Sequence, residues 1–95
     1  MNYQITSDNI DLTSSMIALA QEKFSKVEHR FSQNELENTL VRIVLNTAPV
    51  EEFVVKIELN ANGKQYFTER TGFSLENALI EAVKEIEREM EKKKR

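Results

Sequence analysis

Tyr3 and Ile5 alternate with Gln4 and Thr6, a period of two that predicts a short first strand. Ser7-Asp8-Asn9 is turn chemistry, and Ile10 and Leu12 lead to Thr13, a fitting N-cap. From Ser14 the period becomes helical. Ile17, Ala20, Phe24, Val27 and Phe31 recur at steps of three and four, one apolar stripe with Met16 near its edge. The stripe predicts a helix ending close to Phe31, where Ser32-Gln33-Asn34 reads as loop. A β-rich run from Thr39 to Leu45 puts Val41, Ile43 and Leu45 on one face. Pro49 and Glu51-Glu52 mark the connection to a run in which Phe53, Val55, Ile57 and Leu59 alternate with Val54, Lys56 and Glu58.

Asn62-Gly63 is the strongest local signal, because both residues tolerate positive φ and suit a type I′ hairpin turn. That turn pairs Leu59 with Tyr66 and Ile57 with Thr68 on the buried face and leaves Phe67 on the other. Gly72 breaks the fourth strand and Ser74 caps the last helix. Leu75, Leu79, Ala82, Val83, Ile86 and Met90 form the apolar stripe of that helix, which runs charged through Arg95 with a frayed end. The predicted order is β-α-β-β-β-α. Each helix has one apolar face and so has the sheet. The expected fold is therefore an α+β two-layer sandwich, with two helices packed on one face of a four-stranded sheet. Residues 1–95 are expected to form a single domain.

Composition narrows the function. The chain has 95 residues, 40% apolar and 31% charged, the balance of an ordinary globular domain. No apolar run reaches the ~20 residues of a membrane span, and the first residues lack the pattern of a secretion signal. Cysteine is absent, which excludes disulfides, thiolate metal sites and thiol nucleophiles. The expectation is a cytoplasmic protein without membrane partner, metal or cofactor. A net charge of −3 excludes an all-over positive coat, but the field at a phosphate depends on where the charges sit.

Catalytic chemistry finds no foothold. His29, the one histidine, lies off the apolar stripe between Glu28 and Arg30 and reads as a solvated side chain. The two glycines cannot build a phosphate-cradling loop, and no serine sits in a nucleophile elbow. Glu51 and Glu52 point to opposite faces as strand neighbours, which suits a soluble loop edge better than a cation site. The chain is expected to be no enzyme and to take no small-molecule substrate.

The cations are more informative. Lys23, Lys26 and Arg30 fall on one narrow arc at about 100° per residue, flanking the stripe of the first helix. Lys84, Arg88 and Lys92 recur every four residues opposite the core side of the last helix, and Lys93, Lys94 and Arg95 extend its positive end. Such cations on neighbouring helices suit a phosphate backbone. The last helix also carries Glu81, Glu85, Glu87, Glu89 and Glu91. Glu81–Lys84, Glu85–Arg88 and Glu89–Lys92 are i,i+3 pairs and Glu91–Arg95 an i,i+4 pair, the pattern of a solvated face. The first-helix trio has fewer acidic neighbours. Phe67 suits either base stacking or packing on strand neighbours such as Val54 and the stem of Lys56.

The ordered set resembles the ribosome hibernation-promoting factors, also called ribosome-associated inhibitors or sigma-54 modulation proteins. Ile5-Thr6-Ser7 with Ile10-Asp11-Leu12-Thr13 is similar to the family's opening strand and helix start. Glu22-Lys23-Phe24-Ser25-Lys26-Val27-Glu28 with Phe31 is similar to its first-helix core, and Ala78-Leu79, Ile86-Glu87-Arg88, Met90 and Lys92 to its final helix. The resemblance implies a factor that binds the small ribosomal subunit, in the channel of messenger and transfer RNA, and silences ribosomes in stationary phase or stress. It carries RNA-binding roles to Lys23, Lys26, Arg88 and Lys92; helical geometry adds Arg30 and Lys84. Off the ribosome the protein is expected to be monomeric. Ending at Arg95, it resembles the short forms, which lack the additional C-terminal domain of long members.

The sequence departs from the family at Ser74, Leu75 and Glu76, where an acidic residue, an aliphatic and a tyrosine are usual, and at Glu85, where a lysine is usual. Both glutamates stand where phosphates are expected. A second reading is therefore a protein-interaction module of the same fold that has lost RNA binding, using apolar residues such as Phe67 and Ile80.

Overall fold

The computed structural model describes residues 1–93; Lys94, Arg95 and the side chain of Lys93 lie outside the described residues, and with them the expected fraying and the expected Glu91–Arg95 pair. The elements are β1 (Asn2–Thr6), α1 (Ser14–Glu28), α2 (Gln33–Glu37), β2 (Leu40–Ala48), β3 (Glu52–Ala61), β4 (Lys64–Gly72) and α3 (Leu75–Lys93). The four strands form one sheet in the order β1-β2-β3-β4, with β1 parallel to β2 and the other pairs antiparallel. This is the expected sandwich with one added turn of helix.

Local chemistry explains most boundaries. The Thr13 hydroxyl accepts from the Met16 N–H at 3.2 Å, and that of Ser74 accepts from Asn77 at 3.1 Å, so both long helices start at their expected caps. Asn62 and Gly63 have φ of 54° and 74°, the double positive φ of a type I′ turn. The turn sets the expected register, Leu59 opposite Tyr66 and Ile57 opposite Thr68. At Gly72 an added Cβ would lie 2.8 Å from the backbone nitrogen of Ala78, so only glycine lets β4 end against the start of α3.

Two features depart from the sequence pattern. Ser32-Gln33-Asn34, expected as loop, opens α2. The Ser32 hydroxyl accepts from Glu35 N–H at 3.3 Å while the Glu35 carboxylate accepts from Ser32 N–H at 2.8 Å, a reciprocal capping box. Thr39 closes this turn, its hydroxyl donating to the Glu35 carbonyl at 2.6 Å. The second is the length of β2, which continues past Leu45 to Ala48. Asn46 is buried there yet satisfied: its carbonyl oxygen accepts from Asp8 N–H at 2.8 Å and its amide donates to Asp8 at 3.1 Å. Asn9 in turn bonds the Thr47 backbone in both directions, N–H and carbonyl.

The core is one cluster in which Phe24 and Val27 of α1 and Leu79, Ala82 and Ile86 of α3 meet Val41, Ile43, Leu45, Val55, Ile57 and Leu59 of the sheet. Tyr3 ties α1 to the sheet edge: its ring stands edge-on to Phe24 at 6.0 Å, and its hydroxyl donates to the Glu28 carboxylate. Burial, and then the Glu28 carboxylate, push the Tyr3 phenol well above its ordinary range, so it stays a proton donor. Phe67 is 59% exposed on the face of the sheet away from the helices, directly opposite Glu58.

Candidate nucleic-acid interface

The two long helices lie side by side on the sheet, and the seam between them is where the cations gather. Lys23 and Lys26 of α1 and Lys84 of α3 line one shallow groove of about 120 Å³, with Ile80, Val83 and Glu87 as its remaining walls. Ile80, expected as an exposed apolar residue, is half-buried in this groove. The groove therefore joins one cation from α3 to two from α1, a grouping no single helix displays.

The rest of the α3 stripe turns away. Steps of four residues advance about 40° around a helix, so Lys84 to Lys92 drifts about 80°. Arg88 accordingly pairs with Glu85 at 3.0 Å, and the same carboxylate holds Arg70 of β4 at 3.1 Å. Lys92 pairs with Glu89 at 3.5 Å and Lys84 with Glu81 at 3.8 Å, so the three i,i+3 pairs foreseen in the sequence all form. Arg30 spans the seam to reach Glu91 at 2.7 Å and Glu87 at 3.7 Å. Lys23 meets Glu76 at 3.7 Å. Among the described residues Lys26 alone of the six cations faces no carboxylate within ion-pair distance.

These pairs differ in strength. Exposed ion pairs contribute about 0–1 kcal/mol, so a phosphate displaces Glu76 from Lys23 or Glu81 from Lys84 at little cost. Arg30 is held by two carboxylates and an additional bond to the Glu87 carbonyl at 3.5 Å, and is more a strut between the helices than a free donor. Of the ion-paired carboxylates, that of Glu85 is the least exposed, at 18%. The hydrogen bond from Arg88 is the largest influence on its carboxyl; burial opposes it next, and the charges of Arg70, Arg88 and Lys92 add to the lowering, so the group lies below the usual carboxylate range. A lowered folded-state value means the pairing is intact above the ordinary carboxylate range and is lost only as pH falls through the lower one. At neutral pH this one carboxylate stays ionised and paired with both Arg70 and Arg88.

The opposite face of the sheet is polar and interlinked. Arg42 donates to Gln4 at 3.1 Å and to Glu58 at 3.4 Å, Gln65 donates to Glu58 at 3.0 Å, and Lys56 meets Glu69 at 4.0 Å. Phe67 stands beside this network, opposite Glu58.

The family model for sigma 54 modulation protein / S30EA ribosomal protein matches residues 3–95. The N-terminal domain of Thermus thermophilus Protein Y superposes with a TM-score of 0.82 at 19% identity, covering 97% of this chain and 98% of that one. A ribosomal subunit interface protein from Coxiella burnetii superposes with a TM-score of 0.79 at 15% identity, covering 99% of this chain and 98% of that one. No curated protein sequence matches the chain.

Proposed function

The chain belongs to the sigma 54 modulation protein / S30EA ribosomal protein family, and from that premise we propose that it binds the small ribosomal subunit and represses translation in stationary phase or stress. In this reading it is a cytoplasmic, non-catalytic factor acting as one domain, monomeric until it reaches the ribosome. The observation that carries the proposal is the inter-helix groove in which Lys23, Lys26 and Lys84 converge. Three ammonium groups around one furrow track consecutive phosphates of an RNA backbone; Arg88 and Lys92, held by Glu85 and Glu89, lie outside it and reach phosphates only when those pairs open, and Arg30 is the strut that fixes the helix spacing. The experiment is co-sedimentation of the pure protein with small subunits at low salt. The proposal expects the protein in the subunit fraction; protein remaining at the top of the gradient contradicts it.

A second reading is supported by the pairing of five of the six candidate cations with glutamates. A surface so neutralised suits a protein partner. The two readings separate at Glu85. On the RNA reading Glu85→Gln releases Arg70 and Arg88 and tightens subunit binding by roughly 3- to 10-fold at low salt, as an added phosphate contact does. Sedimentation of the variant checks this. Unchanged or weaker binding favours the protein partner.

A further inference from the structure

A second cavity, of about 320 Å³, lies beyond the Arg30–Glu91 strut, between the end of α1, α2, the β3–β4 hairpin and α3. Its walls are of two kinds. Phe31, Tyr66 and Met90 supply apolar and aromatic surface, while Arg30, Lys64, Asn62 and two glutamates supply polar groups at the rim. A space at the small end of ligand pockets, walled by rings and a thioether, fits a flat aromatic ligand of nucleotide size.

Asn62 defines which one. Its amide nitrogen donates to the Glu35 carboxylate at 2.6 Å. A carboxylate only accepts, so this bond fixes the orientation of the amide and leaves its carbonyl oxygen as the acceptor. Glu35 is itself held by the Ser32 N–H, which locks the pair to the α2 cap. A fixed carbonyl acceptor beside aromatic walls pairs with an exocyclic amine and repels an exocyclic carbonyl.

We propose that this cavity is a nucleobase slot that selects a ring bearing an exocyclic amine, adenine among them. The base comes either from a free nucleotide or from an unstacked RNA residue; only the RNA source rests on the function proposed above. In that case the backbone lies over Lys23, Lys26 and Lys84 and one base turns past the strut into the slot.

The test titrates adenosine 5′-monophosphate and inosine 5′-monophosphate into the isotope-labelled full chain, read by NMR. The two differ along one edge: the adenine nucleotide carries an exocyclic amine beside an N1 acceptor, the inosine nucleotide an exocyclic carbonyl beside an N1–H donor. Saturable shifts at Phe31, Asn62 and Tyr66 are expected with the adenine nucleotide, and about tenfold weaker binding of the inosine nucleotide. Asn62→Gly keeps the positive-φ turn but removes the amide, so it should abolish the discrimination with the sheet intact. Equal binding of both nucleotides, or no shift with either at about 10 mM, a concentration well above millimolar affinity, overturns the slot.

Met90→Trp, which fills the cavity, separates the sources. Loss of adenine nucleotide binding with weakened subunit sedimentation assigns an RNA base; the same loss with unchanged sedimentation assigns a free nucleotide. Nucleotide discrimination in a protein that does not sediment with subunits leaves the slot standing and removes the ribosomal proposal.

Discussion

Phe24→Ala is expected to lower the free energy of unfolding by about 3–5 kcal/mol. The ring is fully buried where α1 meets the sheet, and it makes the edge contact with Tyr3 that seats the helix at β1. Removing it costs both the transfer of the ring and the cavity left behind, because backbone on two sides is fixed by strand pairing. Small domains have about 5–15 kcal/mol in total, so the loss is about a fifth of the stability or more. Thermal melting monitored by circular dichroism should show the midpoint falling by ~12 °C or more. A change of under ~1 kcal/mol would mean that α1 is not packed on the sheet as described. The functional groove would be affected too, since Lys23 and Lys26 are presented by the helix that Phe24 anchors.

The second large effect concerns binding. Reversing Lys23, Lys26 and Lys84 together to glutamate should reduce affinity for small subunits by roughly 100-fold at low salt. The salt dependence should flatten by about one unit of log–log slope for each phosphate contact removed. The fold should survive, because the pairs broken are exposed ones worth about 0–1 kcal/mol each. Lys92→Glu alone is the control: it sits about 80° around α3 from Lys84 and is already paired with Glu89. Equal losses for the triple variant and the control would place the contact along the whole of α3, outside the groove.

The sequence revealed the fold where local chemistry decides it. Asn62-Gly63 determined a turn type, the turn determined a register, and Thr13 and Ser74 marked both helix starts. It concealed elements whose reasons are distant or brief. The capping box Ser32…Glu35 was present in the sequence, yet a five-residue helix has no apolar period to accompany it. The end of β2 was hidden because Asn46 is a loop-type residue whose burial depends on Asp8, far away in sequence.

The candidate site divides in the same way. The cations and their i,i+3 partners could be read from spacing along one helix. The contacts that change their roles, Lys23 with Glu76 and Arg30 with Glu87 and Glu91, exist only once α1 lies beside α3. Helical spacing likewise made Lys84, Arg88 and Lys92 look like one stripe, while their drift around the helix gives Lys84 to the groove and the others to the β4 side. Asn62 was recognised as a turn former, but its amide meets Glu35 only because α2 exists.

The central claim is that a groove of ammonium groups binds ribosomal RNA. The most direct measurement is co-sedimentation of the wild-type protein with small subunits across a salt series from about 50 to 200 mM, the range over which phosphate contacts dissociate. Affinity should fall linearly in log–log form with a slope between about −2 and −3, from three phosphate contacts at about −0.7 to −0.9 each. Binding that does not change with salt, or no binding at 50 mM, would contradict it.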